Sequence, residues 1–176
     1  MATSTLLPLE VYLRTNYRPD CEWIDGEVRE RNVGEAPHSA AQKFLINNLS
    51  ANEEIWGVTV WPEQRVQTSG THFRVPDICL TRDSGRYEVI FTVPPLLCIE
   101  LMSYDDRLNE ILERAEDYLA MGVLAVWILD LRRREAFVAH RSGLEKTPER
   151  LWVDGWPIKA RLSDVLAYVD KIEARR

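Results

Sequence analysis

Apolar side chains recur in this chain at two spacings, and each spacing points to an element. Ala41, Phe44, Leu45 and Leu49 stand three and four residues apart behind Pro37, which predicts a helix from about His38 to Ile55. Leu108, Ile111, Leu112, Ala115, Tyr118 and Leu119 repeat that spacing and predict a second helix over 105–121. Asp105 or Asp106 is placed to cap its start and Gly122 to end it, and its apolar stripe centres on Leu108, Leu112, Ala115 and Leu119. Immediately before it, Leu96-Leu97-Cys98-Ile99-Glu100-Leu101-Met102 is apolar on both alternating faces, as in a central strand covered on both sides. Leu124 to Leu131 reads as another buried strand, and Glu135 to His140 as an alternating one. Strand, helix, strand implies a parallel crossover.

Shorter signals fill in the rest. Leu9 to Asn16 predicts a short opening helix, and Asp25-Gly26 a turn between the strand-like halves of Cys21 to Val28, hence an N-terminal β-hairpin. Gly57 to Gln67 and Phe73 to Leu80 predict two strands joined by a turn at Ser69-Gly70, and Tyr87 to Thr92 a short strand or loop edge. In the tail, Leu151 to Val153 and Ile158 to Leu162 predict a hairpin around Asp154-Gly155, with Ser163 or Asp164 capping a last helix through Ile172. The expected class is α/β: a mixed β-sheet flanked by helices, with an N-terminal β-hairpin.

With 176 residues, 45% hydrophobic and 28% charged, the chain has material for one core, so a single domain over 1–176 is expected. No stretch reaches the length of a membrane span, and the opening Met1 to Glu10 lacks a basic region followed by an apolar run, so neither membrane insertion nor secretion is expected. Cys21, Cys79 and Cys98 are odd in number and lie in apolar or aromatic surroundings, which suits reduced packing residues in a cytoplasmic protein. The net charge of -6 disfavours binding nucleic acid by bulk attraction. Its distribution is uneven: residues 131–176 hold 11 basic and 7 acidic side chains, a balance of +4, and residues 1–130 hold 11 against 21, a balance of -10. Only Lys43, Lys146, Lys159 and Lys171 among the 22 basic residues are lysines.

Two carboxylates stand where carboxylates are costly. Glu100 interrupts a doubly apolar strand, where an ionised side chain without a partner loses several kcal/mol of hydration or takes up a proton. Asp77 does the same in Arg74-Val75-Pro76-Asp77-Ile78-Cys79-Leu80, where Pro76 confines the segment to a sheet edge or a strand beginning. Two such carboxylates on neighbouring strands can converge on a hard divalent cation such as Mg²⁺. The other readings are an Asp77 bonded to backbone at a strand end and a Glu100 paired with a nearby arginine. Arg107 and Arg114 flank the apolar stripe of the second helix, where each can reach Glu100 or a phosphate, or pair with Glu110 or Asp117. His38 is either a proton carrier or a capping or surface residue. His72 and His140 have no partner at a telling spacing. No glycine-rich phosphate loop, zinc-ligand spacing or nucleophile elbow occurs.

Six fragments come in an order and spacing that resembles the Uma-two family of restriction endonucleases. They are Trp23-Ile24-Asp25-Gly26-Glu27, Pro37-His38-Ser39, Val75-Pro76-Asp77-Ile78, Ile99-Glu100-Leu101-Met102-Ser103, Asp117-Tyr118-Leu119-Ala120-Met121-Gly122-Val123 and Val126-Trp127-Ile128-Leu129-Asp130. The resemblance runs from about residue 8 to 170. It implies a restriction-endonuclease-like core of the PD-(D/E)XK superfamily and hydrolysis of DNA phosphodiesters with Mg²⁺ or Mn²⁺. It carries Asp77 and Glu100 onto the two acidic positions, with the Leu101 backbone carbonyl as a further metal ligand, and it places Glu27 and His38 at positions that family members also use. The superfamily lysine two residues after the second acid is replaced here by Met102. Relatives resembling this chain carry a lysine on the following helix, and Arg114 stands at that position. Arg114 or Lys43, on the first long helix, is then the group that stabilises charge on the phosphate. A homodimer is expected on the resemblance alone. The alternative is a nuclease-shaped protein that no longer cuts and serves as a nucleic-acid-binding or protein-interaction module.

Overall fold

The computed structural model describes residues 6–32, 34–85, 88–147 and 149–175. In chain order its elements are α1 (Leu9–Arg14), β1 (Cys21–Ile24), β2 (Glu27–Glu30), α2 (Ala36–Ser50), α3 (Glu53–Trp56), β3 (Val58–Pro62), β4 (Val66–Gln67), β5 (His72–Arg74), β6 (Ile78–Arg82), β7 (Leu97–Met102), α4 (Leu108–Met121), β8 (Ala125–Asp130), β9 (Glu135–His140), β10 (Gly143–Thr147), β11 (Arg150–Trp152), β12 (Lys159–Arg161) and α5 (Leu162–Glu173).

The central sheet has the order β10-β9-β8-β7-β6-β3. Its pairs are antiparallel except β7–β8, which is parallel and connected through α4, as the strand-helix-strand pattern requires. Every residue of β7 is buried, because side chains on both of its faces meet helices. Leu97, Ile99 and Leu101 pack with Ala41, Leu45 and Leu49 of α2 and Val165 and Val169 of α5. Cys98 and Met102 pack on the other face with Ile111, Ala115 and Tyr118 of α4. The hairpin β1–β2 joins β5 and β4 in a second sheet of order β2-β1-β5-β4, which closes over Tyr12, Trp23 and Phe73. β11 and β12 form the expected tail hairpin. The three cysteines are buried and free, and no described helix is long and apolar enough to cross a membrane.

Several boundaries depart from the sequence pattern for local reasons. The helix expected over His38 to Ile55 breaks after Ser50: the Asn52 amide binds the Asn48 carbonyl at 3.0 Å, and α3 ends at Gly57 with φ 64. The two strands expected over 57–80 are four, because Pro62 and Pro76 cannot extend a ladder through their own nitrogens, so β4 and β5 leave for the second sheet while β3 and β6 stay in the first. β10 is an added edge strand, exposed along most of its length and so without apolar alternation. Of the segment Tyr87 to Thr92, Tyr87 lies outside the described residues, and Phe91 makes a single bridge to Val66. α4 starts after Arg107, without a side-chain cap; the Asp106 carboxylate accepts the Ser103 N–H at 2.6 Å instead. Ser163 likewise does not cap α5 but donates its hydroxyl to Glu149 at 2.7 Å. The buried stripe of α4 is Ile111, Ala115 and Tyr118, with Leu108, Leu112 and Leu119 only partly buried. That rotation brings Arg114 to lie against the sheet.

Candidate active site

Strand register sets the two carboxylates side by side. Ile78 pairs with Ile99, Cys79 with Cys98 and Leu80 with Leu97, so one step outward Asp77 lies opposite Glu100. Residues directly opposite share a face, here the face of Cys79 and Cys98. Asp77 is held at both ends. Its backbone carbonyl accepts from Glu63 N–H at 3.1 Å and from the Gln42 amide at 3.0 Å, and its Oδ2 accepts the Leu101 N–H at 2.7 Å. A strand residue sends its N–H and C=O to the same neighbour, so the Leu101 carbonyl is directed to the Asp77 side as well. Glu100, 1% exposed, accepts the Tyr118 hydroxyl at 2.8 Å on Oε1 and Arg114 Nη1 at 3.3 Å on Oε2.

Arginines balance both acids. Arg31, on the connection between β2 and α2, forms an ion pair with Asp77 Oδ1, and His38 Nε2 stands 3.4 Å from Oδ2. Burial pushes the Asp77 carboxyl up, but the His38 bond, the Arg31 charge and the Leu101 N–H together hold it below the usual range. Glu100 goes the other way: burial, eased by Arg114 and reinforced by the Asp77 charge, raises it to about 7. His38 is raised because the bond and charge of Asp77 outweigh its burial. Gly34 makes room for that imidazole, since a Cβ there would lie 2.5 Å from His38 Nδ1.

Behind Glu100 runs a second layer of charge. Arg114 Nε is 3.5 Å from Glu22, which is buried on β1 and also accepts Arg74 Nη1 at 2.8 Å. Arg74, itself buried, reaches Glu113 at 3.0 Å and Asp117 at 2.7 Å. His72 sits between Asp117, 2.9 Å from Nδ1, and Asp25, 3.2 Å from Nε2. The alternation Arg74–Glu22–Arg114–Glu100 fastens the hairpin to α4 and to the central sheet.

The structure therefore brings Asp77, Glu100, Leu101, His38 and Arg114 together. Two other candidates are solvent-exposed. Lys43 is exposed, about 140° round α2 from His38, whereas Gln42 faces Asp77. Glu27 is exposed on β2, and the hairpin carboxylate in the cluster is Glu22. Arg31, Glu22, Arg74, Tyr118 and Gln42 were not among the sequence candidates. Glu22 and Arg74 carry the same signal as Glu100, a charge inside an apolar strand segment. Arg31 carries none, because nothing in a polar loop marks one arginine over another.

The donor set suits a hard divalent cation. Asp77 and Glu100 would supply carboxylate oxygens and Leu101 a backbone oxygen, and Mg²⁺ commonly fills its remaining positions with water and phosphate oxygens. Among the described residues no three His, Cys, Asp or Glu side chains gather into a ready metal cage. Both sequence alternatives also hold as geometry: Asp77 does bond to backbone, and Glu100 does pair with an arginine. Arg31 on Asp77 is the cation that a metal ion would have to displace.

The chain is similar in fold to a putative nuclease belonging to DUF820 from Anabaena variabilis ATCC 29413, at TM-score 0.82 and 22% identity over 91% of this chain and 97% of that one. A cryoEM structure of a DrdV–DNA complex aligns at TM-score 0.44 and 16% identity, over 78% of this chain and 12% of that one. No curated protein matches. A family model described as "Putative restriction endonuclease" matches residues 6–160, and by that match the chain belongs to the Uma2 family.

Proposed function

We propose that this protein is a metal-dependent endonuclease that hydrolyses DNA phosphodiester bonds, with its centre at Asp77 and Glu100. The observation that carries the reading is the register opposition of these two buried carboxylates, with the Leu101 backbone turned to the same spot. Asp77, Glu100 and the Leu101 carbonyl would hold Mg²⁺ or Mn²⁺, which supplies Lewis-acid activation of the phosphate and of a water. Arg114, already directed at Glu100, is placed to offset the negative charge that grows on the phosphate oxygens. An arginine keeps its proton near neutral pH, so Arg114 acts as a fixed charge and not as a base. His38 donates toward Asp77 and keeps that carboxylate ionised and oriented. Tyr118 fixes the other acid through Glu100 Oε1.

A second reading has its own support: Arg31 and Arg114 already neutralise both acids, as a cluster that serves only as a binding module would require. Plasmid nicking separates the two. The nuclease reading expects cleavage by the parent with Mg²⁺ or Mn²⁺ that is lost with EDTA and in both Asp77→Ala and Glu100→Ala. No cleavage by the parent across metals and substrates, together with a salt-dependent shift of DNA, selects the binding module.

A further inference from the structure

At the open end of the central sheet, beside Asp77, lies a cavity of about 330 Å³. It is bounded by the first turn of α2, the ends of β7 and β8 and the last turns of α5, and His38 in its wall is the residue that reaches Asp77. Its apolar lining comes from Pro37, Met102, Leu131 and Val169, and its charged members are Glu35 and Glu173 with Arg132 and Arg134. At the mouth stands Tyr104, 66% exposed, with the Arg132 guanidinium 4.5 Å from its ring centre. Arg132 opens a turn of three consecutive arginines between β8 and β9. Arg133 and Arg134 pair with Asp130 and Asp170; both partners of the Arg134–Asp170 pair are half-exposed, so that pair is solvent-screened and readily exchanged for a phosphate, and the Arg133 side chain is 70% exposed.

We propose that this cavity is a subsite for an unpaired nucleobase of a single-stranded nucleic-acid segment, with Tyr104 and Arg132 as its stacking platform and the Arg132–Arg134 turn along the adjoining phosphates. The proposal rests on the nuclease reading for its biological use and goes beyond it by naming the form of the substrate. The division of labour follows from charge. Glu35 and Glu173 can accept from the exocyclic amines of cytosine or adenine, while Arg132 and Arg134, which share the lining with them, attract the phosphates of the backbone. A flat aromatic face beside a guanidinium is how proteins hold splayed bases, and a base inside a duplex cannot offer its face to it. This turn also lies in the segment 131–176, whose balance is +4, although the molecule as a whole is at -6.

The test is fluorescence anisotropy of the full chain with EDTA present, using labelled oligonucleotides of about 12 nucleotides: mixed-sequence single-stranded DNA, the same sequence as RNA, and the blunt DNA duplex. The expected result is tighter binding of single strands than of duplex. Tyr104→Ala should weaken single-strand binding by about 5- to 100-fold, Tyr104→Phe should retain it, and duplex binding should stay within about twofold. Tighter binding of DNA than RNA, or the reverse, assigns the strand chemistry, and either supports the subsite. Unchanged single-strand binding in Tyr104→Ala, or equal losses for single strands and duplex, overturns it. Asp77→Asn keeps the two readings apart. Metal-dependent nicking lost in Asp77→Asn while Tyr104→Ala binds normally sinks the subsite alone. Tyr104-dependent single-strand binding without any nicking by the parent sinks the nuclease reading alone.

Discussion

Glu100 is the carboxylate whose titration is displaced upward into the neutral range, and replacing it with glutamine gives a prediction with a definite sign. Its side chain is buried between Tyr118 and Arg114, and burial pushes its pKa up to about 7 from the ordinary 4.5. A gap of that size corresponds to roughly 3 kcal/mol. Because the folded protein holds this proton more tightly than the unfolded chain, the contribution is fully present below the unfolded value and is lost as pH rises through the folded one. The stability of the parent relative to Glu100→Gln should therefore fall by up to roughly 3 kcal/mol between about pH 4.5 and 8. His38, also raised by Asp77, loses stability in the same direction, but it is present in both proteins and cancels in the difference. The assay is urea denaturation of parent and variant, free of metal, at about one-unit steps over that window. Added Mg²⁺ should then stabilise the parent above pH 7, where Glu100 is ionised, and leave Glu100→Gln nearly unchanged. Parallel pH profiles for the two proteins would refute the claim that burial dominates this carboxyl.

Other substitutions probe the surrounding charges. Arg31→Met removes the counter-ion of Asp77 and should tighten Mn²⁺ binding by about tenfold in calorimetry if the guanidinium and the metal compete; equal or weaker binding denies the competition. Arg74→Met leaves Glu22 buried with a lost partner and should cost about 3–5 kcal/mol, a fall in Tm of about 6–20 °C by thermal unfolding; a loss under about 1 kcal/mol would show that Arg114 alone suffices for Glu22. Gly34→Ala drives a methyl to within 2.5 Å of the His38 ring, so the imidazole should leave Asp77 and its pKa should drop, as read by histidine NMR titration; an unchanged titration contradicts the contact.

The parts of the site that were legible in the residues are those that depend on a local contradiction. A glutamate inside Leu97–Met102 conflicts with burial on both faces, and that conflict marks Glu100 before any contact is known. Asp77 is marked in the same way beside Pro76. The identical signal at Glu22, in a strand buried throughout, and at Arg74 is masked in the sequence, because short strands next to turns look like edges. Lys43 and Glu27 were plausible by residue type, but helix phase turns one to solvent and the outer hairpin strand exposes the other.

Periodicity along the chain is local, and it was enough to specify β7, α4 and β8, their parallel crossover, and the terminal hairpins, since burial of a face demands apolar residues at fixed intervals. The partners of the buried charges were beyond its reach. Arg31 meets Asp77 across 46 positions, Arg74 meets Glu22 across 52, and only the closing of the hairpin sheet against α4 and the central sheet selects them. Coulomb attraction acts through space and leaves no period in the chain, so which arginine neutralises which carboxylate is a property of the packed molecule.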